Sequence, residues 1–281
     1  MAQGAQDSES KATIIFLVVV VLIGLGVWGG WVAFGNKLKA RDKLNQGARA
    51  FKAAQYTQAI ENFKLAIQLD PQLQTARLYL ATAYANQFIP GAESDDNIKM
   101  GMQAIDEFKK VLADDPSNVN SVAGIASIYF NMKKFEEAKQ WYGKQIQLDP
   151  KNAEAYYSIG VIDWSQTYPA RMEARSAAKL DPQGSEPFKD AKARDELCTK
   201  NTPLIEEGFK HLNKAVEINP QYDDAMAYIN LMYREKADCE ADLTARKADL
   251  DSAESWVTKL MEVKRIKAEA AAKAPSGQIT K

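Results

Sequence analysis

At 281 residues with 46% apolar residues, the chain is long enough to bury a sizeable core and too ordinary in composition for a disordered or collagen-like protein. Its 36 Lys and Arg are balanced by 37 Asp and Glu, which excludes a general electrostatic drive towards nucleic acid or acidic lipid. Cys198 and Cys239 form no Cys-x-x-Cys pair and His211 is the only histidine, so the chain lacks the closely spaced ligands of a zinc module and the dithiol of a thioredoxin-like centre.

The first element is a short polar tail, residues 1–12, followed by an uncharged run from Thr13 to Gly35, TIIFLVVVVLIGLGVWGGWVAFG. At a rise of ~1.5 Å per residue such a run crosses a ~30 Å hydrocarbon core, and Trp28 and Trp31 stand towards the end where amphipathic rings favour the interface. A transmembrane helix is therefore expected over 13–35. A cleaved signal peptide would show a basic leader and a small-residue cut site. Here the leader carries Asp7 and Glu9 against Lys11, and Ala33-Phe34-Gly35 is a weak site. Gly26 and Gly30 offer a small-residue face on which two spans could pair as a homodimer. Lys37, Lys39, Arg41 and Lys43 come directly after the span, and by the positive-inside bias they hold the rest of a bacterial inner-membrane protein in the cytoplasm. The same residues also begin a helix of the folded domain, and an uncleaved N-terminal span commonly exports the domain attached to its C-terminal end, which leaves the periplasm open.

Beyond the span a three-residue motif recurs at Leu69-Asp70-Pro71, Leu148-Asp149-Pro150 and Ile218-Asn219-Pro220, with the variant Asp114-Asp115-Pro116. Pro116 and Pro150 are 34 residues apart, the length of two antiparallel helices and their turns. Between them, Ala126 and Ala138 fall where two helices would cross closely, and Tyr129, Phe135 and Tyr142 fall where they would diverge. Gly47, Tyr56, Ala59, Phe63, Ala66 and Pro71 repeat the pattern, as do Ala81, Tyr84, Ala104 and Phe108, then Tyr156, Gly160, Gly208, Leu212, Ala215 and Pro220. A last unit begins at Asp223 with Tyr233 in its first helix and a second helix expected over 253–267. These positions resemble the tetratricopeptide-repeat (TPR) family over residues 40–267, with Gln145 departing from its small residue. An ordinary helical bundle would share the apolar periodicity but not the fixed proline spacing. The resemblance implies an all-α fold: a right-handed superhelix of about five helix-turn-helix units, followed by a flexible tail, residues 268–281. Gly47 and Gly160 each cost ~1 kcal/mol of helix propensity relative to Ala, which close packing of helix A on helix B would offset.

Extra residues fall between helix A and helix B at about 87–99, 165–202 and 236–248. The first, with Pro90-Gly91 and an acidic pair, is expected as an exposed loop. The second carries two charged stretches with helical spacing, and is read as a helical elaboration. Pro182 leaves open that it completes one repeat and starts a degenerate sixth, although Glu196 then occupies a small-residue position. Cys198 and Cys239 lie in the second and third insertions, where an exported domain would allow pairing and a cytoplasmic one would keep both reduced.

No P-loop, G-x-S-x-G, H-E-x-x-H or Rossmann glycine pattern is present. His211 stands alone, and Glu136-Glu137 and Glu206-Glu207 are sequence neighbours on helices that cannot converge on one bond. Neither enzymatic activity nor a cofactor or metal is expected. The resemblance instead implies partner proteins or peptides bound on a concave face of helix A residues: Asn45, Tyr79, Asn86, Ser127, Asn131, Tyr157, Trp164 and Tyr228. The competing expectation for each tyrosine is simple packing against the next repeat. Only Arg41 and Asn45 match the basic clamp with which some TPR domains hold a C-terminal carboxylate. The expected function is a membrane-tethered scaffold, and the alternative is a structural subunit held in a larger membrane complex by the span and the insertion edge.

Overall fold

The computed structural model describes residues 30–273. Most of the expected span 13–35, with Gly26 of the pairing motif, lies outside the described residues, and among these no helix is long and apolar enough to cross a membrane. The described chain is all-α. Helix α1 covers 30–52, followed by α2 (Tyr56–Leu69), α3 (Gln74–Gln87), α4 (Asp95–Asp114), α5 (Val119–Asn131) and α6 (Phe135–Leu148). Then come α7 (Ala153–Ala177), α8 (Ala191–Ile218), α9 (Asp223–Cys239) and α10 (Leu243–Lys273).

The recurrent Asx-Pro motif stops α2, α6 and α8 by a local device. Proline disfavours helical backbone in the residue before it, and Asp70, Asp149 and Asn219 are extended, with φ of -139°, -137° and -126°. Their side chains then accept the backbone N–H two residues on, from Gln72, Lys151 and Gln221, at 3.2, 3.1 and 3.1 Å. Helices α1, α5 and α7 end differently, on Ala54, Lys133 and Lys179 at φ of 56°, 57° and 58°. The N–H of the next residue reaches back to Ala50, Tyr129 and Arg175 at 2.9 Å in each case, the six-to-one bond of a Schellman cap.

The chain divides into two compact units, one ending at Gly124 and one beginning at Ile125. In the first, Gly47 faces Phe63 so closely that an added Cβ would stand 2.5 Å from the ring, and Gly124 faces Phe108 at the same distance. Ala59, Phe63, Ala66 and Ala81 are fully buried around these crossings. In the second, Ile205, Leu212, Ala215, Ala225, Ile229 and Met232 form the core. A Cβ on Gly160 would collide with Leu212, and one on Gly208 with Met232. Replacing Gly160 by Ala is therefore expected to destabilise by up to about 2 kcal/mol, the ~1–3 kcal/mol of overpacking set against the ~1 kcal/mol of helix propensity gained. Gly143→Ala in α6, with nothing within 4 Å of its added Cβ, is expected to stabilise by up to ~1 kcal/mol, both changes being read by urea titration.

The insertions are more helical than expected. Residues 88–94 alone separate α3 from α4, and the short connection is pinned by buried Asn97, which accepts Ile89 N–H at 2.7 Å and donates to the carbonyls of Ile89 and Ala92 at 2.8 Å. The stretch 165–202 lengthens α7 and α8 and leaves 178–190 as their connection. The third expected insertion, 236–248, is helical except at 240–242, and α10 begins at Leu243, ten residues before the second helix expected from 253. The expected tail is likewise helical as far as Lys273. Leu243–Lys273 is rich in Ala, Lys, Glu and Leu, whose unbranched or minimal side chains lose little freedom in a helix.

Candidate partner-binding face

Three of the eight residues expected on the concave face come together in the second unit. Tyr157 and Trp164 lie on α7 and Tyr228 on α9. The Tyr228 ring stands edge-on to Tyr157 with centroids 5.7 Å apart and to Trp164 at 5.2 Å. Tyr222 extends this array beside Tyr157 at 4.9 Å, and Tyr168 extends it beside Trp164 at 4.7 Å. All five rings are half-buried. They pack on one another as a fixed surface and still reach solvent, so they present large rigid area at little further entropy cost. The Trp164 indole N–H has no hydrogen-bond partner among the described residues. Burial pushes the hydroxyls of Tyr157, Tyr222 and Tyr228 above the ordinary tyrosine range, and nearby carboxylates add to the effect. These groups stay neutral at physiological pH.

The other five take no part in these ring contacts. Asn45, Tyr79 and Asn86 belong to the first unit. Tyr79 is 40% exposed and stacks on Phe63 with centroids 5.6 Å apart, whereas the Asn86 amide donates to its own helix at the Thr82 carbonyl. Ser127 and Asn131 bond to each other along α5 at 3.5 Å. The amides of Asn86 and Asn131 are thus engaged locally where the resemblance implied groups free to meet a ligand backbone.

Beside the array lies a buried acid that the sequence did not single out. Asp163 is fully buried 34 residues after Tyr129, where the preceding unit carries its aromatic. Lys139 Nζ stands 2.5 Å from its carboxylate and His211 Nδ1 stands 4.0 Å away. Burial raises the Asp163 pKa to about 6, with Lys139 opposing. Burial also lowers the pKa of His211. The histidine is therefore a member of a buried polar group with Asp163 and Lys139.

A second polar cluster fastens the lengthened part of α7 to α9 and α10. Asp238 receives Arg171 Nε at 2.7 Å, Arg175 Nη1 at 3.0 Å and Arg246 Nη1 at 2.9 Å. All four residues are buried. Other donors of Arg175 and Arg246 reach carbonyls of the 178–190 connection: Arg175 to Asp181 and Glu186 at 2.8 and 3.1 Å, Arg246 to Ser185 at 2.7 Å. Glu235, also buried, has its pKa raised to about 8 by burial against the lowering effect of Arg171. Next to Asp238, Cys239 forms a disulfide with Cys198 of α8, the Cα atoms 5.3 Å apart. The signal for this cluster was present but weak. Arg171 and Arg175 are like charges one turn apart, an unfavourable pairing on a helix unless a shared anion joins them.

A family model described as the TPR repeat matches residues 126–166, from Ala126 on α5 through α6 into α7. Among curated proteins the chain is similar to the protein CTR9 homolog of Arabidopsis thaliana, 28% identical over 134 residues. That alignment takes in 45% of this chain and spans only 12% of the length of the relative. Among solved structures it is similar to a crystal structure of MamA, with a TM-score of 0.56 and 16% identity over 85% of this chain and 98% of that one. A MamA structure from Desulfovibrio magneticus RS-1, residues 41 to the end, gives 0.53 and 18% over 81% and 96%. At such identities the likeness is one of fold. The chain is an all-α protein with a TPR-like fold, and carries a TPR repeat at the centre of its sequence.

Proposed function

We propose that this protein is a membrane-tethered scaffold that binds partner proteins through the aromatic face formed by Tyr157, Trp164 and Tyr228. The observation that carries the reading is that these rings are joined into one solvent-reaching surface on the helix A side of α7 and α9. Buried aromatic anchors dominate the energetics of protein interfaces. The test is capture of partners by the full chain in detergent, with the double variant Tyr157→Ala/Tyr228→Ala compared at equal helicity. Loss of a captured partner is expected, and unchanged capture would sink the reading.

The tether is the apolar run 13–35. For the side of the membrane, the Cys198–Cys239 disulfide supports an oxidising compartment over the cytoplasm that the basic residues after the span favour. Alkylation of acid-quenched intact cells is expected to find no free thiol until a reductant is added. Two freely reactive thiols would place the domain in the cytoplasm.

The alternative, a structural subunit docked through the insertion edge, draws on a groove of about 470 Å³ lined by Ala170, Ala174, Ala177, Ala193 and Leu197. Exchanging Ala174 for Arg would release the protein from its complex under that reading and leave the aromatic face unaffected.

A further inference from the structure

The aromatic face carries a charge at one end. Glu154, in the first turn of α7, accepts the Tyr222 hydroxyl hydrogen bond, and Asp224 stands in the first turn of α9. Both residues are exposed. Both lie near enough to Tyr157 for their charges to act on its hydroxyl. Neighbouring charges are already matched: Asp223 pairs with Lys267 at 2.5 Å, and Arg234 with Glu254 at 2.5 Å. Glu154 and Asp224 enter no ion pair among the described residues. Two unpaired carboxylates beside three electron-rich ring faces repel an acidic segment and attract a cation, first through Coulomb attraction and then through the ring quadrupoles. A long basic side chain meets both demands, since its aliphatic stem covers apolar surface and its head remains at the rim.

We infer that the partner segment received by this face is basic, with an arginine or lysine side chain lying along Tyr157, Tyr222 and Tyr228 and its head against Glu154 and Asp224. The inference rests on the aromatic face being the binding surface, and adds the chemistry of what binds. It opposes the carboxylate-clamp mode, which needs cations where this face has anions.

The experiment uses two short fluorescein-labelled peptides, identical except that arginines in one are glutamates in the other, titrated into the full chain in detergent and read by anisotropy. The basic probe is expected to bind, less tightly as salt is raised, and the acidic probe not to bind. Glu154→Gln/Asp224→Asn is expected to weaken the basic probe about ten-fold, and Tyr157→Ala/Tyr228→Ala to weaken it at least as much. Circular dichroism of each variant reports whether it has folded. Equal affinity for the two probes, or no binding of the basic one, overturns the inference. If the tyrosine variant loses binding and the carboxylate variant does not, the charge assignment fails and the face survives. Unchanged binding in the tyrosine variant removes both.

Discussion

Asp238→Ala is expected to cost about 3–5 kcal/mol, because it strips the shared anion from three buried guanidiniums and leaves their charge uncompensated. Arg175 is 0% exposed and Arg171 and Arg246 are 7% and 4% exposed, so water cannot take over the lost contacts without opening the junction of α7, α9 and α10. The backbone carbonyls of the 178–190 connection would keep some donors satisfied, which holds the cost within that range. By contrast Glu254→Ala, which removes the partner of Arg234 in a pair whose side chains are 32% and 66% exposed, is expected to cost no more than ~1 kcal/mol. Urea unfolding followed by circular dichroism measures both. Similar small effects would mean that the cluster does not fasten the insertion.

Stability is also expected to fall as the pH rises from about 5 to about 8. Burial lifts Glu235 from 4.5 to about 8 and Asp163 from 3.8 to about 6. The folded state thus holds these protons more tightly than the unfolded chain. An acid whose folded pKa is raised contributes a stability that is whole below its unfolded pKa and lost as the pH rises through the folded one. At 1.36 kcal/mol per pKa unit the combined loss is on the order of several kcal/mol, with Asp163 acting up to about pH 6 and Glu235 across the whole window, while the lowered pKa of His211 opposes them below its ordinary value. Glu235→Gln removes the ionisable group and keeps the shape, so the denaturation midpoint of that variant should flatten between about pH 6 and pH 8. A midpoint of the unaltered protein that rises over this range would contradict the assignment.

The parts of this molecule that were legible in the sequence are those governed by local rules. Asx-Pro turns, alanines at crossings and glycines pressed on Phe63 or Leu212 act within one or two helices, and their spacing showed both the repeat and its register. The lengthened helices were harder to read, because Pro169 and Pro203 lie inside α7 and α8 where proline ordinarily signals a break. The arginine cluster left only the weak signal of Arg171 and Arg175 one turn apart: Arg171 and Asp238 are 67 residues apart, and charged residues on a helix read as solvated until the packing is known. The candidate face was legible in part. The family resemblance placed eight residues on the helix A face, yet only the cross-helix geometry showed Tyr157, Trp164 and Tyr228 joined. It also showed Asn86 turned back on its own helix, and Ser127 and Asn131 bonded to each other.

The central claim is that partners meet the protein on this aromatic face. A photo-reactive benzoylphenylalanine at position 228, compared with one at exposed Glu206 on α8, tests it in living cells. Irradiation is expected to join a partner protein to position 228 and not to position 206. Adducts from position 206 alone, or equal capture from both, would contradict the account.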